Sequence, residues 1–81
     1  MYELSTFYQS KEWRRLLEQI KLERVNENGD IICQYCEKPI TRAYDIIGHH
    51  KIHLTEENVN DFSISLNPEN VELVHHRCHN Y

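Results

Sequence analysis

The sequence predicts a small α+β domain in which an N-terminal amphipathic helix precedes short strands and a bound zinc ion acts as a staple. Three observations carry that expectation. Residues 10–25 place apolar side chains at helical spacing, residues from 31 onward alternate β-branched segments with turn chemistry, and two pairs of zinc-type ligands, Cys33-x-x-Cys36 and His75-x-x-Cys78, lie far apart in the chain. With 81 residues there is room for one domain, 1–81, and a core of that size is marginal alone. Its 40% apolar and 27% charged residues exclude disorder, collagen and a long coiled coil. No apolar run approaches the ~20 residues that cross a bilayer, and the first residues lack the pattern of a secretory leader. A soluble, cytoplasmic protein is therefore expected.

The helix is read from Trp13, Leu16, Leu17 and Ile20, which fall on one face, while Lys11, Arg14, Arg15, Glu18 and Lys21 turn elsewhere. Ser10 is the expected N-cap. Residues 26–30, Asn-Glu-Asn-Gly-Asp, are a stop, with Gly29 able to take the left-handed conformation that ends a helix. Residues 31–39 are an apolar lead-in to a tight Cys-x-x-Cys turn. Residues 40–54 carry Ile40, Thr41, Tyr44, Ile46, Ile47 and Ile52 and predict a strand that presents His49 and His50 at its end, with Gly48 permitting a bulge.

Residues 55–61 predict one helical turn capped by Thr55. Phe62, Ile64 and Leu66 alternate with serines and predict a short strand. Residues 67–70, Asn-Pro-Glu-Asn, form a turn. Residues 71–74 predict a second strand, and residues 75–80 the start of a helix or knuckle.

Three cysteines cannot close a full disulfide framework. Two ligand pairs of this spacing, brought together, make a tetrahedral three-thiolate, one-imidazole site, the donor set that structural zinc prefers. A Cys-x-x-Cys alone also fits a redox dithiol, and His76 competes with His75 as the nitrogen ligand. His49, His50, Asn70 and His79 remain outside the zinc set. Adjacent strand residues point to opposite faces, so one histidine of the pair can bind a metal while the other reaches substrate. Each histidine alone also reads as an ordinary surface or core side chain, and Asn70 as a loop stabiliser.

Taken in order, Cys33-Gln-Tyr-Cys36, Gly48-His-His-Lys-Ile52 and Asn70-Val-Glu-Leu-Val-His-His-Arg-Cys-His79 resemble the HNH endonuclease family. Phe7-Tyr-Gln-Ser-Lys-Glu-Trp13 is similar to the helix that precedes the motif in small phage-type members. The resemblance implies a ββα-metal (His-Me finger) core with the His pair on its first strand, Asn70 in the connecting loop and His79 on the helix. It implies that His50 is the general base, that His49 and His79 hold one catalytic divalent metal (Mg, Mn, Ni or Zn), and that Asn70 orients the loop and thereby the His50 ring. It also implies a DNA substrate cut to 5′-phosphate and 3′-hydroxyl ends, with a phage terminase or other packaging protein as a partner. His75 stands where the family more often has Cys. Members often carry a further ligand one turn beyond His79, for which Asp45 is the substitute on offer.

A net charge of −4 is unusual for a DNA-binding protein, since phosphate binding runs on Lys and Arg. The cations that remain near the histidines are Arg77, Lys51 and Arg42, and the expected DNA binding is weak and salt-sensitive. The competing reading from another class is a zinc-stabilised DNA- or protein-binding module with a degenerate nuclease site.

Overall fold

A computed structural model describes residues 1–79. A single helical turn, α1 (Leu4–Phe7), leads into the amphipathic helix α2 (Lys11–Arg24). Ser10 Oγ accepts from the Trp13 amide at 3.2 Å, as expected of an N-cap. The helix ends one residue before its predicted limit, with Val25 extended. Gly29 does adopt a left-handed conformation (φ 81°), but in the loop that follows and not at the helix end. That loop closes on itself: the Asn26 amide donates to Asp30 O, and Asn26 Oδ1 accepts from the amides of Asn28 and Asp30. Arg24, on the last turn, is tied down by donating to Gln34 Oε1 and to the carbonyls of Pro68 and Val71.

The strand expected over residues 40–54 is split in two. Its start, β2 (Pro39–Ile40), pairs with β1 (Ile31–Ile32) as a minimal antiparallel hairpin around the Cys-x-x-Cys turn. After a short helical turn at Ala43–Asp45, β3 (Ile46–His50) pairs antiparallel with β4 (Val71–His75), Ile46 opposite His75 and His50 opposite Val71. The register is unbroken, so Gly48 forms no bulge. Its role is close approach: a Cβ there would lie 2.8 Å from Leu17 Cδ1 and 2.9 Å from Trp13 Cζ2.

Residues 55–61 form the expected turn, with Thr55 Oγ1 accepting from the amides of Glu57 and Asn58. The strand predicted from Phe62, Ile64 and Leu66 is instead a helical turn, α3 (Phe62–Ser65). Asp61 caps it by accepting from the Ser63 amide, and the alternation misleads because Phe62 is 53% exposed while the polar Ser65 is fully buried. The last element, α4 (His76–His79), is the predicted helix start; Asn80, the end of that predicted segment, lies outside the described residues.

Two small cores result. Phe7, Trp13, Ile20, Val59, Val71 and Leu73 pack between α2 and the β3–β4 ribbon. Cys33, Ile40, Val74 and Cys78 pack on the zinc-ligand side. The N-terminus is laced to the 55–61 turn, since Tyr2 N donates to Asn60 Oδ1 at 2.8 Å and Asn60 Nδ2 donates to Tyr2 O at 2.9 Å. Among the described residues no helix is long and apolar enough to cross a membrane.

Candidate active site and metal centre

The two ligand pairs meet. The Cys33–Cys36 knuckle between β1 and β2, His75 at the end of β4 and Cys78 on α4 place one ligand atom each within 4.8 Å of all the others. Four donors around a zinc ion at ordinary Zn–S distances would stand about 3.8 Å apart, so little contraction is needed. Hydrogen bonds prepare the site for an ion. His75 Nδ1 faces Cys36 Sγ at 3.3 Å while its Nε2 donates to Pro39 O at 3.1 Å, which fixes the tautomer as a carbonyl partner does for a metal-bound imidazole. His76, the competitor, is exposed, and its amide is bound to Asp45 Oδ1. That bond also engages the carboxylate of Asp45, which does not line the histidine cavity.

The three thiols are unequal. Burial pushes Cys33 upward, but the amides of Cys36, His75 and Tyr35 outweigh it and hold the thiol down at about 6. Burial and the neighbouring thiols push Cys78 up to about 11. The Cys33 thiolate therefore forms readily, and a dication would be required to stabilise that of Cys78.

A cavity of about 510 Å³ runs along β3 at the edge of the first core. It is lined by Tyr8 and Trp13 from the N-terminal elements, by Gly48, His49 and His50 from β3, and by His53 and His79. Successive residues of β3 diverge, as strand geometry requires. The His50 ring lies on Trp13, centroids 4.8 Å apart, and is only 4% exposed. His49 turns to α4 and meets His79 edge to face at 5.4 Å. Two imidazoles sharing one tetrahedral ion at ordinary metal–nitrogen distances have centroids about 5 Å apart, so this pair fits a common metal. Burial lowers the His49 pKa, His79 and His53 lower it further, and Glu72 on β4 opposes them. Neutral imidazole, the form that binds metal, is thereby favoured.

Both nitrogens of His50 are assigned by their partners. Nε2 lies 2.9 Å from Ser65 O, a carbonyl that can only accept, so Nε2 carries the hydrogen and Nδ1 the lone pair. Tyr8 Oη lies 3.4 Å from Nδ1. Burial lowers the His50 pKa, the Ser65 carbonyl partly offsets this, and the charge of a protonated His49 adds to the lowering.

Asn70 is buried next to this ring's support. Its Oδ1 accepts from the Ile52 amide and its Nδ2 donates to Ile64 O, each at 2.9 Å, while its carbonyl accepts from the Lys51 amide at 2.8 Å. The segment leaving His50 is thus tied to the helical turn that supplies the Ser65 carbonyl. Of the cations singled out in the sequence, Lys51 is exposed, and Arg42 donates to Tyr44 Oη at 2.8 Å. Arg77 lines a second groove with Tyr44, Asp45 and His76. None of the three lines the histidine cavity.

Three cavity residues escape a reading of the sequence. His53 follows the strand end, its ring 5.9 Å from His49. Tyr8 and Trp13 come from the N-terminal segment, where their spacing signals only helix entry and core. The buried polar partner of His50, the Ser65 carbonyl, is a main-chain group and carries no side-chain signature at all.

Comparison with known proteins agrees with the motif order. The family model for HNH endonucleases matches residues 33–81. A curated protein of Lactococcus phage SK1, named "Probable HNH endonuclease", is 30% identical over 76 residues, covering 94% of this chain and 73% of the relative. No solved structure matches the chain significantly.

Proposed function

The chain belongs to the HNH endonuclease family, and from that membership we propose that it is a metal-dependent DNA endonuclease, formed by a single domain over residues 1–81, that hydrolyses phosphodiester bonds by nicking or double-strand cleavage. The observation that carries the reading is the state of His50. It is a buried imidazole with its proton fixed on Nε2 by Ser65 O and its lone pair at the cavity that His49 and His79 share. Phosphodiester hydrolysis needs a neutral base at the attacking water, and imidazole supplies one near neutral pH.

His50 Nδ1 takes a proton from water, the water oxygen bonds to phosphorus, the bond from phosphorus to the 3′ oxygen breaks, and that oxygen takes up a proton from solvent. The 5′-phosphate and 3′-hydroxyl ends of the family follow. His49 and His79 would hold the catalytic divalent ion, which when bound supplies positive charge to the phosphoryl and leaving oxygens. Asn70 acts through the main chain, fixing residues 51–52 against α3 and thereby the bond between Ser65 O and His50. Cys33, Cys36, His75 and Cys78 hold structural zinc. Arg42, Lys51 and Arg77 contribute localised phosphate contacts, and with a net charge of −4 the free domain binds DNA weakly and with strong salt dependence. The phage source of the relative supports action in phage genome processing in the cytoplasm of an infected cell; a terminase or other packaging protein as partner follows only from the motif resemblance.

The test is conversion of supercoiled plasmid in magnesium or manganese. Wild-type protein nicks it, and His50→Ala abolishes nicking with zinc content and a cooperative thermal transition retained, the midpoint lowered by loss of a buried ring. Wild-type protein inactive with every divalent metal overturns the reading in favour of a zinc-stabilised binding module.

A further inference from the structure

The wall of the cavity nearest the N-terminus comes from outside the segment that matches the family. Tyr8 sits between α1 and α2, held edge to face by Phe7 at 5.4 Å, Trp13 at 5.6 Å and the His50 ring at 5.9 Å. Its hydroxyl stands 3.4 Å from His50 Nδ1. Since Ser65 O fixes the hydrogen on Nε2, the phenol lies beside the nitrogen that carries the base's lone pair. A separation of 3.4 Å is long for a hydrogen bond from a hydroxyl, which ordinarily spans about 2.8 Å. The phenol therefore marks the approach to Nδ1 without saturating it. Tyr8 is 45% exposed, so solvent reaches it, and burial of the remainder raises its pKa, which keeps the proton on the hydroxyl at neutral pH.

The geometry points to Tyr8 as the positioning residue for the attacking water, its hydroxyl oxygen and His50 Nδ1 together holding the molecule that His50 deprotonates. This rests on the nuclease reading above. A water bridging them from the cavity side, off the line joining the two atoms because 3.4 Å leaves no room on it, donates one hydrogen to Nδ1 and the other to Tyr8 Oη, which leaves an oxygen lone pair for phosphorus. On attack the first hydrogen passes to Nδ1 as a proton, the oxygen bonds to phosphorus, and the bond to the 3′ oxygen breaks, that oxygen being protonated from solvent. Tyr8 gains and loses nothing. Before substrate arrives, the same hydroxyl turns its hydrogen to Nδ1 and keeps the ring aimed at the cavity.

The experiment is Tyr8→Phe in the full chain, which keeps the ring contacts to Phe7 and Trp13 and removes only the oxygen. Plasmid nicking in manganese is expected to lose roughly 10-fold or more in kcat, with KM, zinc content and thermal midpoint unchanged, a split that a packing role would not produce. A second readout needs neither DNA nor added metal: the ¹⁵N resonance of His50 Nδ1, hydrogen-bonded in the wild type, is expected to move downfield in Tyr8→Phe. Active wild-type protein with kcat unchanged in Tyr8→Phe, or with an unmoved ¹⁵N resonance, overturns the inference alone. Wild-type protein inactive with every divalent metal overturns the nuclease reading and this inference with it.

Discussion

The general-base role proposed for His50 depends on two contacts, a carbonyl on one nitrogen and the Tyr8 hydroxyl beside the other. Burial lowers its pKa below the ordinary value near 6.5, with Ser65 O opposing and His49 adding to the effect. A base works only unprotonated, so kcat for nicking, followed from pH 8 downward, is expected to stay level to about 6.5 and to fall only below it. A rate already halved above pH 7 contradicts that. The sign for stability is the same: between the unfolded ring's pKa of about 6.5 and the lower native one, the unfolded chain binds the extra proton. The contribution of this group is therefore full above about pH 6.5 and lost as pH falls through the native pKa. Asn70→Asp replaces a donor by a carboxylate facing Ile64 O while keeping the acceptor for the Ile52 amide. A loss of about 1–3 kcal/mol in urea melts is expected, with a fall in nicking, whereas an unchanged melt would mean the amide donor is dispensable. At this scale the ligand types and the His pair were legible, because metal and proton chemistry restrict residue identity. Tyr8 was not, since it lies 42 positions from His50 and a single tyrosine before a helix cap carries no sign of a distant partner.

Elements were legible where local chemistry fixes them and illegible where packing does. Ser10 at the N-cap and the Cys-x-x-Cys turn depend on neighbours a few residues away, and both form as read. The segment around Phe62 depends on which side chain finds the core, and burial of Ser65 with an Asp61 cap turns an alternating pattern into a helical turn. Gly48 is the sharpest instance. Sequence reasoning assigns it a bulge, but its missing side chain is what lets β3 rest on α2. Gly48→Ala is expected to cost about 1–3 kcal/mol, read from the denaturant midpoint. It should also reduce nicking, because Trp13, one of the side chains displaced, is the surface on which the His50 ring lies. Equal stability and activity in that variant would show that Leu17 and Trp13 yield without consequence.

For the whole molecule, two small cores and two-stranded ribbons leave much of the fold dependent on the four-ligand cluster, which joins the first hairpin to the end of β4 and to α4. Binding energy at such a site is folding energy, on the order of 10 kcal/mol for structural zinc in small domains. Stripping the ion with a strong chelator is expected to abolish the cooperative thermal transition, and Cys36→Ser to do so without chelator. Cobalt substitution should give an intense thiolate charge-transfer band, and its absence would exclude coordination by the three cysteines. The family match begins at residue 33, yet the first core takes Phe7, Trp13 and Ile20 from before it. Anyone grafting the catalytic motif onto a programmable DNA-targeting protein should therefore move the chain from Tyr2 onward. A cassette cut at the motif boundary would arrive with the Cys33–Cys36 knuckle stripped of β1, a greasy ribbon facing water, and a histidine with nothing to lie against.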